Sequence, residues 1–393
     1  MDLPLKGIRI LAIEQFGAGP YGSMYLADMG AEVIKIESRA AGGDAARHTG
    51  IQLSDADSAY FQAFNLNKRS ITLDLKSKEG RELFHELVTT ADVVWNNLRG
   101  NQPERLGIDY ANLKSIKPNI ICTHISAYGR DNDRADWPGY DYLMQAECGF
   151  LHLTGEPESP PARFGLSIID FMTGAVAGMG TLAALLGRER DGGRDVDISL
   201  FDVALHQLSY PGTWYMNHGI KTDRLPRGSH PSNTPVQLFK TADGWIFIMC
   251  MTEKFWGLFL DIIGHPQLAE DPRFAKMGKR AENRDTLTSV LDDILSGNST
   301  SHWLDKLKTK VPVAPVYDLP AALDNPFVAD IGMRQSLPHG ERDLKVLRNP
   351  IRFNSQRLPS KPGHGLGQDN VGIIGDELGH IERLSELSDR NII

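Results

Sequence analysis

Over the first 130 residues, short apolar runs alternate with amphipathic stretches, the pattern of βαβ units in which a buried parallel strand feeds a helix with one apolar face. Residues 8–16 and 33–37 read as strands with a helix over 21–29 between them. Strands follow at 70–75, 92–98 and 119–127, with a helix over 78–90. This half is expected to form a doubly wound sheet.

From 139 to 187 the pattern turns helical, broken by GEPESPP at 155–161, whose prolines forbid a continuous helix. A helix restarts near Asp170 and runs through Gly174, Gly178, Gly180 and several alanines. Such small residues lower helix propensity but let another backbone come very close, so something must press on that face. Residues 194–200 read as a strand and 201–217 as an aromatic-rich helix. A Gly/Pro/Asn-rich stretch at 219–235 looks like a crossing between domains. Beyond it, VQLFKTADGWIFIMCM reads as a hairpin turning at Ala242, Asp243 and Gly244, with helices near 253–263, 282–295 and 300–308. The pattern therefore predicts an α/β protein, with a doubly wound large domain from 1–218 and a smaller α+β domain with its linker at 219–320. The segment 321–393 is expected to return to the large domain.

Composition narrows the class. At 393 residues, two domains are expected, and 41% hydrophobic with 23% charged residues is ordinary for a soluble enzyme. The formal net charge of −8, with no Lys/Arg block, lacks the footprint of a nucleic-acid binder. The N-terminus lacks a cleavage-type pattern and no stretch approaches the roughly 20 apolar residues of a membrane span, so a cytoplasmic location is expected. Cys122, Cys148 and Cys250 are far apart and form no CxxC, which suits reduced, buried thiols better than a metal site.

Gly17, Gly19 and Gly22 spell GxGxxG between a strand and a helix, and Glu37 closes the next strand twenty residues on. That is the dinucleotide fingerprint in its usual context, although a tight βα turn without a ligand gives the same spelling. There is no GxSxG, HExxH, P-loop or EF-hand. His85–Glu86 starts like a zinc motif but meets Thr89 where the second histidine would stand.

Several ordered segments together resemble the class III CoA-transferases, the family that includes formyl-CoA transferase, carnitine CoA-transferase-like enzymes and relatives of α-methylacyl-CoA racemase. They are AGPYGSMYLADMGAEVIKIE (18–37), FNLNKRSITLDLKSKEG (64–80), NNL (96–98), RLGIDYANLKSIKPNIICTHISAYG (105–129), PGYDYLMQAECGFLHLTGEPESPPARFGLSIIDFMTG (138–174) and RDVDISLFD (194–202). Weaker likeness continues through FKTADGWIFI, DPRF, VPVAP and RNPI. The resemblance implies a Rossmann-like large domain built from both chain ends, a smaller domain, and an interlocked-ring homodimer. It places the nucleophilic aspartate at Asp170. It puts Phe16, Gly17, Ala18, Arg39, Leu73, Lys76, Asn97, Leu98, Arg105 and Tyr128 at or beside CoA-contacting positions. No metal and no separate cofactor are implied, since the CoA thioester is itself a substrate; the partners are an acyl-CoA and a carboxylic acid. Formyl-CoA transferase carries glutamine where this chain has Gly17 and lysine where it has Ser126, which speaks against oxalate as acceptor. Its glycine-rich lid has only Arg227–Pro231 as a short counterpart.

The implied chemistry suits these residue types. A carboxylate of ordinary pKa is ionised at neutral pH, so Asp170 could attack a thioester without a general base. The bland reading of the same residue is a helix N-cap. Arg39, Lys76 and Arg105 suit phosphates, or are solvated surface charges. Backbone amides at 16–18 could donate to developing oxyanion charge. A racemase on the same fold would need an acid/base pair, and its histidine is replaced here by Tyr140. The other rivals are an NAD-dependent oxidoreductase and a non-catalytic CoA-binding protein.

Overall fold

The computed structural model describes residues 2–393. The chain divides into two compact units. The larger holds the described residues up to 148 together with 164–209 and 327–393, and the smaller holds 149–163 and 210–326. The smaller unit thus begins at 210 rather than 219, ends at 326 rather than 320, and gains the proline loop at 149–163.

The larger unit is organised by six parallel strands: β1 (Arg9–Ile13), β2 (Glu32–Glu37), β3 (Arg69–Thr72), β4 (Val93–Asn96), β5 (Ile121–Ser126) and β6 (Arg194–Ser199). Their order is β3-β2-β1-β4-β5-β6, so the connections reverse direction between β1 and β4. Such a switch point opens a crevice at the carboxyl ends of the strands, where ligands of doubly wound sheets bind.

Alternation along the strands sends side chains to both faces. Leu11, Ile13, Ile34, Ile36 and Val94 share a core with Leu83, Phe84 and Leu87 of α2 (Lys78–Thr90) and with Ile373, Ile374 and Leu387 near the C-terminus. Trp95, pointing the other way, is wholly buried beside α1 (Ala18–Asp28). The last residues lie along β3: Asp369 accepts from the Ser70 amide at 2.9 Å, and Asp74 donates its amide to Ile392 at 2.8 Å.

α1 crosses a long helix, α4 (Ile168–Asp191), with α3 (Asp141–Glu147) preceding it. Of the glycines predicted to admit another backbone, Gly174 meets α1, whereas Gly180 faces Val196 of β6 and a Cβ at Gly178 would meet nothing within 4 Å. A Cβ on Gly22 would lie 2.5 Å from the Gly174 carbonyl oxygen, and one on Gly174 would lie 2.5 Å from the Ala18 oxygen. Only hydrogen at both positions permits this backbone-to-backbone contact. Thr181 further along α4 meets Thr123 of β5 at 2.7 Å. By length and composition α4 could cross a membrane, with mean hydropathy 1.6 over its apolar window. Counting uninterrupted apolar residues misses this, because glycines and threonines interrupt the run.

The helix expected over 201–217 is two, α5 (Leu200–Gln207) and α6 (Ser209–His218), broken at Ser209 with φ +47°. Pro211 explains the break, since in one continuous helix its ring would clash with the Gln207 carbonyl.

The smaller unit contains the predicted hairpin, β7 (Val236–Lys240) and β8 (Trp245–Met249), extended by antiparallel β9 (Val313–Pro315). α7 (Glu253–Ile263), α8 (Arg284–Leu295) and α9 (Thr300–Leu307) pack on it through Phe239, Ile246, Trp256, Phe259, Leu291 and Trp303. Arg227, in the lid-like segment, pairs with Asp292 at 2.6 Å, and its amide donates to Glu156 at 2.9 Å.

Candidate active site

At the carboxyl ends of β1, β4 and β5 lies a cavity of about 400 Å³. Its walls are the β1–α1 turn (residues 15–18), residues 97–99 after β4, residues 125–127 at the end of β5, the stretch 137–140, Leu200 and Asp170. The sheet topology alone predicts a ligand crevice here, and this is where the nucleophile candidate lies.

Asp170 is in the first turn of α4, but it is not the cap. The N-cap position is Ser167, which makes no side-chain capping bond. Instead Asp141 accepts the amides of Ile169 and Asp170 on one oxygen, at 2.6 and 3.0 Å, while Gln145 donates to its other oxygen at 2.5 Å. The helix end is thus satisfied from another element, leaving the Asp170 carboxylate for the cavity.

That placement changes the chemistry expected from sequence. Burial first, then the neighbouring charge of Asp141, push the pKa of Asp170 up to about 7. The carboxylate is therefore not fully ionised at neutral pH in the unliganded protein, contrary to the expectation of an ordinary aspartate.

Gly17 faces this group directly: a Cβ there would lie 2.6 Å from Asp170 Oδ2. Phe16 before it adopts φ +60°, a conformation that costs a non-glycine residue about 1–2 kcal/mol. Two side chains hold the turn. Asn97 accepts the Gln15 amide at 2.9 Å and donates to the Gln15 carbonyl at 2.7 Å, and Asp44 accepts the Phe16 amide at 3.1 Å. The Phe16 amide is thereby engaged, so of the amides expected to meet an oxyanion only those of Gly17 and Ala18, at the start of α1, lack an intrahelical acceptor. The Phe16 ring meets Tyr140 edge-to-face at 6.3 Å.

Each glycine of the GxGxxG stretch answers to a protein neighbour. Gly17 faces Asp170, Gly19 faces Asn97 and Gly22 faces Gly174 and Trp95. Glu37, the acid a dinucleotide's ribose would need, is 4% exposed and bonded by Arg47 to both oxygens at 2.8 and 2.7 Å, by Ser70 at 2.6 Å and by the Asp44 amide at 2.9 Å. Although burial opposes it, Arg47 and Lys35 hold its pKa below the usual glutamate range. No lone pair is left facing a ribose, so the fingerprint here is a packing turn.

Of the CoA-contact positions implied by resemblance, Phe16, Gly17, Ala18, Asn97 and Leu98 line the cavity with Asp170. The others lie outside its lining. Arg39 is exposed and donates to Ser388 Oγ and the Ile393 carbonyl. Lys76 and Arg105 are exposed, and Leu73 is 3% exposed within the hydrophobic core. Tyr128 donates its hydroxyl to Glu147 at 2.9 Å and packs against Trp137.

The lining also includes Gln15, Arg99, Gln102, Ala127 and Trp137, which were not singled out from sequence. Their common signal is position: each falls within a few residues of the carboxyl end of a strand or of the PGYD segment. Asp141 is the other omission, and nothing in its local sequence announces a cap for a helix 28 residues away. Among the described residues no cluster of three or more His, Cys, Asp or Glu could hold a metal ion.

A family model described as CoA-transferase family III matches residues 5–370. The chain is 36% identical over 329 residues to an acetyl-CoA:oxalate CoA-transferase of Acetobacter aceti, covering 83% of this chain and 84% of that protein. It is 32% identical over 390 residues to a succinate–glutarate CoA-transferase of Agrobacterium fabrum, covering 97% of each. Among solved structures it superposes on a CAIB/BAIF family protein from Brucella suis with TM-score 0.83 and 32% identity, covering 96% of this chain and 100% of that one. Rv3272 from Mycobacterium tuberculosis gives TM-score 0.83 and 30% identity over 94% of this chain and 99% of its own.

Proposed function

Because this chain belongs to CoA-transferase family III and is a CoA-transferase, we propose that it moves CoA from an acyl-CoA donor to a free carboxylic acid with Asp170 as the covalent nucleophile. The observation that carries this reading is the position of the Asp170 carboxylate, aimed into a cavity at the sheet's switch point and faced by the one residue type that leaves room for it, Gly17.

In the proposed sequence an Asp170 oxygen attacks the thioester carbonyl, the C–S bond breaks, and a mixed anhydride and CoA thiolate result. The thiolate then attacks the aspartyl carbonyl of the anhydride, releasing the donor acid and leaving an aspartyl-CoA thioester. The acceptor carboxylate attacks that thioester, expelling the thiolate and forming a second anhydride. Thiolate attack on the new acyl carbonyl yields the product acyl-CoA and restores the Asp170 carboxylate. Amides of Gly17 and Ala18 at the start of α1 suit the oxyanions that develop along the way. Mixed anhydrides hydrolyse readily, so exclusion of water by the bound CoA is part of the same design.

A succinyl-CoA-like donor fits the relatives that carry succinate in their names. An interlocked homodimer and a cytoplasmic setting belong to the same proposal, the latter supported by three buried, unpaired cysteines. The test is to incubate the enzyme with succinyl-CoA and a panel of carboxylic acids, read CoA esters by mass spectrometry, and trap the acyl-enzyme with hydroxylamine. Label on Asp170, and loss of exchange in Asp170→Ala, are expected. Wild-type rates in that variant would remove Asp170 from the mechanism.

A further inference from the structure

We infer that Asp44, which does not line the cavity, is a positioning residue for the transferase reaction, holding the β1–α1 turn in the conformation that meets Asp170. The inference rests on the proposed role of Asp170 and goes beyond it.

Asp44 is 3% exposed, and both its oxygens are engaged. Oδ1 accepts the amide of Phe16 at 3.1 Å and that of Ala46 at 2.9 Å, while Oδ2 lies 2.9 Å from the ammonium of buried Lys35. Its own amide donates to Glu37 at 2.9 Å, and Glu37 is fixed in turn by Arg47. Lys35 also donates to the Glu14 carbonyl at 3.0 Å, one residue before the turn begins. A rigid ionic cluster therefore grips the back of residues 14–16.

The need for such a grip is visible in the turn itself. Phe16 sits at φ +60°, where a residue with a Cβ does not rest unaided. Released to an extended conformation, it would swing the peptide that leads into Gly17. That peptide defines the clearance between Gly17 and the Asp170 carboxylate, and it begins α1, whose first residues line the cavity. Asn97 fixes Gln15 on the cavity side. Asp44 fixes Phe16 from behind. A displacement of about 1 Å in reacting groups can cost roughly 100-fold in rate, so loss of the Phe16 bond is expected to fall on kcat rather than on acyl-CoA binding.

The test compares two enzymes in a Lys35→Met background, where no buried cation is left without its carboxylate. Asp44→Asn keeps an oxygen able to accept the Phe16 amide; Asp44→Leu removes it at similar size. The expected result is a kcat for CoA exchange roughly 100-fold lower in K35M/D44L than in K35M/D44N, with KM for the acyl-CoA differing less than about 3-fold between the two. Equal kcat in the two variants would overturn the inference, as would a loss seen in KM alone. Should K35M/D44L fail to fold, hydrogen exchange of the Phe16 amide in the wild-type enzyme replaces it. Protection is expected, and exchange at the rate of an open turn overturns the inference. Absence of CoA exchange in the wild type would instead sink the transferase reading, so the two failures are separable.

Discussion

A Cβ added to Gly17 would come within 2.6 Å of Asp170 Oδ2. Since the obstructing atom is the end of a side chain, Gly17→Ala can be accommodated by turning the carboxylate away. The expected outcome is a folded protein, with a melting temperature within a few degrees of wild type, whose kcat falls on the order of 100-fold. Thermal melts and steady-state kinetics check both halves.

Asp170, with its pKa raised to about 7, sets a pH dependence whose sign is determined. With Asp170 as the proposed nucleophile, only the ionised form attacks, so kcat/KM for the acyl-CoA is expected to rise with pH through about 7 and level off above it. Stability runs the other way. The folded state holds this proton more tightly than the unfolded chain, so the contribution is favourable at low pH and is lost as pH rises from about 4 to about 7. Asp170→Asn should therefore be inactive yet more stable at pH 8. The gain is on the order of 2 kcal/mol once partial exposure is discounted, readable by urea denaturation.

Asp141 contributes to that raised pKa and caps α4 at once. Asp141→Asn keeps an oxygen for the two amides but removes the negative charge. The midpoint of the pH–rate profile should move to lower pH, at some cost in stability because the new amide nitrogen replaces the oxygen that accepts from Gln145. Asp141→Ala, which also deletes the cap, should cost about 1–2 kcal/mol. An unmoved midpoint in the asparagine variant would show that burial alone raises Asp170.

The alternation of apolar and amphipathic stretches was enough to place the first five parallel strands, because a buried strand cannot be polar without losing its core; β6, with the largely polar sequence RDVDIS and only its last residue buried, lies beyond that alternation. Edges shifted by at most three residues, as for residues 8–16, which contract to Arg9–Ile13 where the chain leaves the sheet. The site was legible only where a residue's role is local. Gly17 and Asp170 could be placed from their surrounding segments. Asp141 and Asp44 could not, since each acts on a backbone 28 residues distant in sequence. Glu37 misled for the same reason: its spacing from Gly17 is that of a ribose ligand, and the partner that occupies it, Arg47, belongs to a single 3-10 turn, Ala45–His48, too short to show a periodicity.

Where α1 and α4 cross, the obstruction is backbone rather than side chain. Gly22→Ala would press on the Gly174 carbonyl and on buried Trp95, and Gly174→Ala on the Ala18 carbonyl. Neither neighbour can rotate away, so each substitution should destabilise by about 1–3 kcal/mol or more. The double variant should lose less than the sum, because the first substitution already separates the helices. Chemical denaturation of the three variants tests this.

Arg47 is wholly buried, its guanidinium bonded to both Glu37 oxygens and 3.8 Å from the centre of the Phe61 ring. Removing the carboxylate while leaving the cation is the costly change for such a pair: Glu37→Leu should destabilise by roughly 3–5 kcal/mol. Glu37→Gln retains an acceptor and should cost less. If Glu37 were instead a ribose ligand, the same variants would leave stability almost unchanged and weaken binding of a nicotinamide dinucleotide. Urea denaturation of Glu37→Gln and Glu37→Leu, run beside calorimetric titration of NAD into the wild-type enzyme, separates the two roles; stability loss with no heat of NAD binding is the expected outcome.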